Sequence, residues 1–121
     1  MSTVDQLERV VSRADVVQAQ LDAYNVQDLD AHCRCFADDI VVADLNGAVT
    51  RQGMAAYREA YARMFAEFPH NKAELVNRIV VGDTVVDHER VARSPQGPFF
   101  EVAAIYTFAG DKIARVDFAR A

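Results

Sequence analysis

The sequence has no apolar run long enough to cross a membrane and no excess of basic residues. A transmembrane helix needs about 20 consecutive apolar residues, and no segment approaches that length. The 13 basic residues are outnumbered by 18 acidic ones, which gives a formal net charge of −5. Domains that bind nucleic acids usually carry a basic patch. We therefore expect neither a membrane nor a nucleic acid as a partner.

The first residues also lack a secretion signal, because no basic segment is followed there by an apolar run. We expect the protein to be cytoplasmic. The chain has 121 residues, of which 51% are hydrophobic. These values predict one domain, residues 1–121, that is large enough to bury a real core.

The sequence lacks a glycine-rich phosphate loop, a zinc-binding spacing and a nucleophile elbow. The only cysteines are Cys33 and Cys35. They stand two apart in a helical stretch and so point to different faces, which suits a metal poorly. We expect two reduced, partly buried thiols, no metal, and chemistry without a cofactor.

The sequence does contain helical patterns followed by strand patterns. Ser12 and Asp15 are spaced to cap a first helix that ends near residues 25–27, and Asp28 can cap a short second helix. A third helix begins after Gly53 and is stopped by Pro69. The predicted strands cover residues 40–45, 72–81, 84–93, 99–108 and 112–120. This order predicts an α+β fold with helices on one face of a curved, mostly antiparallel sheet.

The two faces of the fourth predicted strand differ in character. Its more apolar face should meet the helices, and this face comprises Phe100, Val102, Ala104, Tyr106 and Phe108. The opposite face comprises Phe99, Glu101, Ala103, Ile105 and Thr107. We expect this second face, with Ile113 and Arg115 on the next strand, to form a homodimer contact because it is too apolar for water.

One carboxylate lies at the end of an apolar strand face. Ile40, Val42 and Asp44 alternate along the first strand, so Asp44 is a candidate for a buried base. Burial would raise its pKa towards neutrality, and a proton next to a carbonyl would be its natural target. Alternatively, Asp44 bonds to the amides of the turn at Asn46 and Gly47.

A connected set of residues resembles the cone-shaped α+β barrels that include ketosteroid isomerase, scytalone dehydratase, SnoaL-type polyketide cyclases and nuclear transport factor 2. The residues that carry the resemblance are Gln20, Asn25, Asp28-Leu29-Asp30, Phe36-Ala37-Asp38-Asp39, Asp44, Gly53, Arg58-Glu59, Tyr61 and Ile105-Tyr106-Thr107-Phe108. The resemblance implies a nuclear transport factor 2-like or cystatin-like cone, with the curved sheet wrapped around the helices. This fold hosts many activities.

The resemblance also implies roles for individual residues. The isomerases' proton-shuttling Asp matches Asp44, and the tyrosine that supports their oxyanion site matches Tyr61. Their oxyanion-binding Tyr falls on Gln20 and their protonated Asp falls on Tyr106, so both donors differ here. The Tyr106 hydroxyl could bind a ligand oxygen, Asp44 or a backbone carbonyl.

The same resemblance turns Val86, His88 and Arg90 towards the inside of the cone. There His88 could relay a proton and Arg90 could select a carboxylate or phenolate. Alternatively, His88 pairs with a carboxylate on a neighbouring strand, and Arg90 forms an ion pair with Glu89, Glu101 or Asp44.

These expectations define a candidate site and a candidate function. We assign catalytic roles to Asp44, His88 and Tyr106. The residues that we expect to bind the substrate are Gln20, Tyr24, Tyr57, Tyr61, Val86, Arg90, Phe100, Val102 and Phe118. The function indicated is a cofactor-independent isomerase, cyclase or dehydratase acting on a compact apolar carbonyl or phenolic compound. The alternatives are a non-catalytic ligand-binding module, or a dimerisation scaffold whose cavity is filled by Tyr24, Tyr61 and Phe100.

Overall fold

A computed structural model describes residues 12–121, which form three helices and six strands. The helices are α1 (Arg13–Asn25), α2 (Leu29–Cys33) and α3 (Met54–Glu67). The strands are β1 (Phe36–Asp44), β2 (Val49–Gln52), β3 (Lys72–Val81), β4 (Thr84–Ala92), β5 (Phe99–Ala109) and β6 (Lys112–Arg120). No helix within residues 12–121 is long and apolar enough to span a bilayer.

The helices begin where the sequence predicts. The Ser12 hydroxyl accepts a hydrogen bond from the Asp15 amide at 3.1 Å and so caps α1. The Asp28 carboxylate caps α2 in the same way, through the Ala31 amide at 3.1 Å. Gly53 opens α3 with a φ of 86°, a left-handed conformation that glycine adopts without strain.

The six strands form one sheet in the order β2-β1-β6-β5-β4-β3. All neighbouring strands are antiparallel except β1 and β6, which run parallel, so the sheet is mixed. Strand β2 was not expected from the sequence. Its four residues are all exposed, so no apolar pattern marks it, and pairing with β1 alone defines it.

The core lies between the helices and one face of the sheet. Val17 of α1, Tyr57 of α3, Ile40 of β1 and Val116 of β6 meet there and are almost fully buried. On β5, Val102, Ala104 and Tyr106 are buried, and Phe100 and Phe108 are partly buried. The predicted inner face of this strand is therefore confirmed.

The structure corrects the expected outward position of Ile113. Its side chain is fully buried in the core. Thr107 pairs with Arg115 but Phe108 pairs with Ile113, so Ala114 is an extra residue in β6. Because such a bulge shifts the alternation by one residue, Ile113 faces inward although Arg115 is exposed.

The structure also reverses the expected faces of β4. Val85, Asp87, Glu89 and Val91 are the buried residues of this strand, whereas His88 and Arg90 are exposed. Residues directly opposite in a ladder share a face, and Glu89 pairs with the inward-facing Val102. A shift of one residue moves a whole set of side chains to the other face. The prediction that Val86, His88 and Arg90 point into the cone is therefore wrong.

The two cysteines are placed as expected. Cys33 is buried, Cys35 is partly buried, and both are free thiols. Burial raises the pKa of each thiol above its ordinary value.

Candidate functional site

A cavity of about 330 Å³ lies between the helices and the inner face of the sheet. This volume is near the lower end of small-molecule pockets, which span about 300–1,000 Å³. The cavity is lined by Gln20, Leu21, Tyr24, His32, Val42, Thr50, Arg51, Ala60, Tyr61, Met64, Glu89, Val91, Arg93, Phe100, Val102, Tyr106, Phe118 and Arg120. Tyr24, Tyr61 and Phe100 thus form part of its wall and do not fill it.

Glu89 is the one acidic residue that lines this cavity within residues 12–121. It is 7% exposed, and its Oε2 atom has no hydrogen-bond partner within residues 12–121. Burial, together with the nearby charge of Asp87 and against a lowering effect of Arg78, raises the pKa of Glu89 to about 7. A carboxyl group with this pKa can both release and accept a proton at neutral pH.

The neighbouring acid, Asp87, is neutralised by a bidentate ion pair. Arg78 Nε donates to Asp87 Oδ1 at 2.7 Å, and Arg78 Nη2 donates to Asp87 Oδ2 at 2.9 Å. The Nη1 atom of Arg78 donates to Gln18 Oε1 at 2.9 Å, so the ion pair is also bound to α1. Because Arg78 is held in this way by Asp87 and Gln18, Glu89 has no hydrogen bond to it.

Tyr106 presents a phenol to the same cavity. Gln20 Nε2 donates to the Tyr106 hydroxyl oxygen at 3.1 Å, so the hydroxyl hydrogen is left to donate elsewhere. Burial, followed by the charges of Glu89 and Asp87, raises the pKa of Tyr106 well above its ordinary value. The group is therefore a neutral hydrogen-bond donor at physiological pH.

His32 is a fixed, neutral imidazole in the cavity wall. Its Nδ1 lies 2.9 Å from the Gln20 carbonyl oxygen, which can only accept, so Nδ1 carries the hydrogen. Its Nε2 lies 2.9 Å from the Tyr57 hydroxyl and accepts from it. Burial lowers the pKa of His32 to about 4. His32 therefore positions Gln20 and Tyr57 and is not a proton carrier at neutral pH.

A second polar group surrounds Asn71, which is fully buried. Arg93 Nη1 donates to Asn71 Oδ1 at 2.8 Å, and Asn71 Nδ2 donates to the Tyr24 hydroxyl oxygen at 2.6 Å. The guanidinium carbon of Arg93 lies 5.3 Å from the ring centre of Phe68 and 4.8 Å from that of Phe100. Such stacking holds the arginine in place beside the cavity.

Most of the residues expected to bind a substrate do line this cavity. They are Gln20, Tyr24, Tyr61, Phe100, Val102, Phe118 and, among the candidates for catalysis, Tyr106. Tyr57 lies behind the wall, where its ring is 2% exposed and its hydroxyl is bonded to His32.

Asp44 does not occupy a buried position. Its side chain is 49% exposed and forms an ion pair with Arg120 at 2.7 Å. The Gly47 amide bonds to the backbone oxygen of Asp44 at 2.8 Å, so the turn is closed by the main chain. Asp44 is the last residue of β1, where the strand leaves the core, and the prediction of a buried acid here is wrong.

His88, Arg90 and Val86 lie on the outer face and do not line the cavity. His88 Nε2 is 2.6 Å from Glu101 Oε1 on the neighbouring strand, with both side chains about half exposed. The alternative interpretation of His88 is thereby confirmed. The Arg90 guanidinium stacks on Phe99 at 5.2 Å.

Sequence reasoning missed Glu89, Arg93 and His32. Glu89 and Val91 alternate along one face of β4, and the apolar partner face of β5 could have identified that face through the register of the two strands. Arg93 follows directly after the end of the strand. No spacing in the sequence marks His32. Within residues 12–121, no three His, Cys, Asp or Glu side chains cluster as a metal would require.

Comparison with known proteins gives the family. The family model described as SnoaL-like domain matches residues 17–116. A solved structure of an uncharacterized cystatin fold protein from Novosphingobium aromaticivorans is 37% identical, with a TM-score of 0.86, and the match covers 92% of this chain and 100% of that one. No curated protein matches.

Two further structures are similar. A putative polyketide cyclase from Sinorhizobium meliloti is 29% identical, with a TM-score of 0.73, over 87% of this chain and 94% of that one. A hypothetical protein with a ketosteroid isomerase-like fold from Catenulispora acidiphila is 19% identical, with a TM-score of 0.72, over 87% and 84% of the two chains. The chain thus belongs to the family of SnoaL-like domains and has their α+β, nuclear transport factor 2-like fold.

Proposed function

We propose that the protein is a cofactor-independent enzyme of the isomerase, cyclase or dehydratase type, in which Glu89 moves a proton within a compact apolar carbonyl or phenolic compound. One observation carries this proposal. Glu89 is a buried carboxyl group whose pKa lies near 7, and one of its oxygens is unpartnered within residues 12–121. The similarity to a putative polyketide cyclase supports the same class of chemistry.

The proposed reaction uses two groups of the cavity wall. The Glu89 carboxylate removes a proton from the carbon next to a carbonyl, and the electron pair of that C–H bond moves into an enolate. The Tyr106 hydroxyl donates a hydrogen bond to the enolate oxygen, where the negative charge develops. The Glu89 carboxylic acid then returns the proton to another carbon of the same molecule, which completes an isomerisation.

The remaining polar residues hold these two groups in place. Gln20 fixes the Tyr106 oxygen, and His32 fixes the backbone carbonyl of Gln20. The ion pair of Arg78 with Asp87 leaves Glu89 next to a charge that is already compensated. The apolar side chains of Leu21, Val91 and Val102 lower the polarity of the cavity wall, which strengthens both electrostatic interactions.

The test uses 3-cyclohexen-1-one, a ketone whose conversion to the conjugated 2-cyclohexen-1-one is followed by ultraviolet absorbance. We expect Glu89→Gln to lower the rate by about 10²–10⁴-fold, the usual contribution of a general base. Tyr106→Phe should lower it by about 10²-fold or more through loss of the oxyanion donor. Glu101→Gln is the matched control, because it makes the same chemical change on the outer face and should leave the rate unchanged.

The alternative is a binding module that uses the same cavity without converting its ligand. Its support is that Tyr24, Tyr106 and His32 already bond to other side chains of the site. The two functions differ in solvent exchange. A ketone that binds but takes up no deuterium from D₂O at the carbon next to its carbonyl would favour the binding module. Turnover at an unchanged rate in Glu89→Gln would instead contradict the role of Glu89 as the base.

A further inference from the structure

We propose that the cavity binds a small organic acid, with the carboxylate of the ligand held by Arg93 and Tyr24. This inference deepens the proposed function by naming a substrate class, an aromatic or alicyclic keto acid. It rests on that function for the reaction, whereas the anion site itself rests on the geometry around Asn71.

The two hydrogen bonds of the Asn71 side chain link Arg93 to Tyr24 in one direction. Arg93 donates to the carbonyl oxygen of the Asn71 side chain, and the amide of Asn71 donates to the Tyr24 oxygen. The Tyr24 oxygen is thereby used as an acceptor, so its hydrogen is left to donate. Arg93 and Tyr24, which line the cavity at the two ends of this hydrogen-bonded series, therefore both present donors. A ligand that accepts hydrogen bonds complements them.

The charge of Arg93 is not compensated by the protein. Arg78 pairs with Asp87 and Arg120 pairs with Asp44, but Arg93 forms no ion pair within residues 12–121. Its hydrogen bond to Asn71 uses one of five guanidinium N–H groups. A carboxylate would supply both the missing charge and the missing acceptors.

Arg93 is also fixed before any ligand arrives. Its guanidinium stacks on Phe68 and Phe100 while Asn71 holds one nitrogen. A guanidinium group that is already oriented loses little side-chain freedom when it binds a carboxylate. Arg51, which also lines the cavity, is exposed, and no aromatic ring of residues 12–121 stacks on it. These facts favour Arg93 as the anion-binding arginine.

The position of Arg93 relative to Glu89 sets the shape of the ligand. Glu89 and Val91 alternate along the inner face of β4, and Arg93 follows directly after the end of the strand, so that Val91 lies between the acid and the arginine along the chain. Val91 and Phe100 line the cavity as apolar surfaces. A ligand with a carboxylate at one end, an apolar ring and a ketone at the other matches this sequence of groups.

The experiment compares two probes of nearly equal shape, 2-naphthoate and 2-naphthamide, by isothermal titration calorimetry on the wild-type protein. We expect the naphthoate to bind about tenfold more tightly or better, because the amide lacks the negative charge. Arg93→Gln should remove this preference, and Tyr24→Phe should reduce it. The matched control is Arg90→Gln, which removes a phenylalanine-stacked arginine from the outer face and should leave the preference intact.

Three results would overturn the proposal: equal affinities of the two probes for the wild type, an equal weakening of both by Arg93→Gln, or loss of the preference only in Arg120→Gln. If Arg93→Gln does not fold, the wild-type comparison still decides whether an anion is preferred. Arg93→Lys keeps the positive charge but loses the planar guanidinium group, so a reduced preference in this variant would show that Arg93 holds the carboxylate.

Glu89→Gln separates this inference from the proposed function. The variant should keep its preference for naphthoate although it has lost turnover of the ketone. Naphthoate preference without turnover in the wild type would contradict the proposed enzyme and leave the anion site standing. Turnover without naphthoate preference would contradict the anion site alone.

Discussion

Burial shifts the pKa values of two cavity residues in opposite directions. The pKa of Glu89 rises from 4.5 to about 7, and the pKa of His32 falls from 6.5 to about 4. Both residues are neutral when buried, so folding takes up a proton at Glu89 and releases one from His32 in the intervening pH range. Their effects on stability therefore oppose each other over that range.

The first prediction concerns stability and pH. The folded state holds a proton on Glu89 that the unfolded state releases, so this group lowers the free energy of unfolding as pH rises from 4.5 to about 7. A shift of this size corresponds to about 3 kcal/mol. Glu89→Gln removes the effect, so its stability relative to the wild type should increase through that window and stay constant above it.

Urea denaturation at several pH values measures this difference, and other titrating groups cancel because they are common to both proteins. His32 is common to both proteins and also cancels from this difference, although its own lowered pKa makes stability rise with pH from about 4 to 6.5. The control Glu67→Gln, at an exposed glutamate that forms no ion pair within residues 12–121, should follow the wild-type profile. A constant difference between Glu89→Gln and the wild type at all pH values would contradict the raised pKa.

The second prediction concerns activity and pH. Because the proposed base is the Glu89 carboxylate, kcat/KM for 3-cyclohexen-1-one should rise with pH and reach half of its plateau at about 7. His32 titrates far below this value and should leave no inflection there. A profile that is flat between pH 5 and about 9 would exclude Glu89 as the base.

At the scale of residues, the sequence predicted the apolar and aromatic wall better than the ionisable groups. Tyr106, Gln20 and Tyr61 line the cavity as the resemblance implied. Asp44 occupies the matching strand end but is half exposed and paired with Arg120. The exposure of an acid depends on which chain segments cover it, and no local pattern reports that.

At the scale of elements, strand β4 separates what the sequence could predict from what it could not. The strand was predicted within one residue of its observed end, because Thr84 to Ala92 is rich in valine and bounded by a turn. Its facing was predicted wrongly, because both faces carry valines and charges in alternation. Asp87 can be buried because Arg78 on β3 neutralises its negative charge, and Glu89 can be buried because its side chain faces a cavity.

The third prediction tests this compensation. Arg78→Met leaves the fully buried Asp87 without its counterion, so the free energy of unfolding should fall by about 3–5 kcal/mol. The matched control is Arg115→Met, which breaks the ion pair with Asp117 at the surface of β6 and should cost about 1 kcal/mol or less. Urea denaturation of both variants gives the comparison. Equal losses in the two variants would contradict the distinct role of the buried pair.

At the scale of the whole molecule, the sheet has an outer face that no helix covers within residues 12–121. Ile79, Val81 and Phe99 on this face are 51%, 69% and 52% exposed. Ile105 lies on the same face, in strand β5, which is flanked by β4 and β6. Exposed apolar side chains on the uncovered face of a sheet are typical of a surface that binds a protein. His88 and Glu101, which pair with each other, add a polar element to this surface.

We propose that two copies of the chain pair through this outer face, as the alternation on β5 first indicated. Sheet-to-sheet packing about a two-fold axis would bury Ile105 against its copy. Ile105→Lys should then dissociate the dimer, because it places an unpaired ammonium in the contact, and light scattering at micromolar concentration measures the mass. Val26→Lys is the matched control, since Val26 is 72% exposed at the end of α1. The cavity lies on the other side of the sheet, so the dissociated Ile105→Lys chain should still prefer 2-naphthoate over 2-naphthamide. A monomeric wild type would contradict the proposed role of this face.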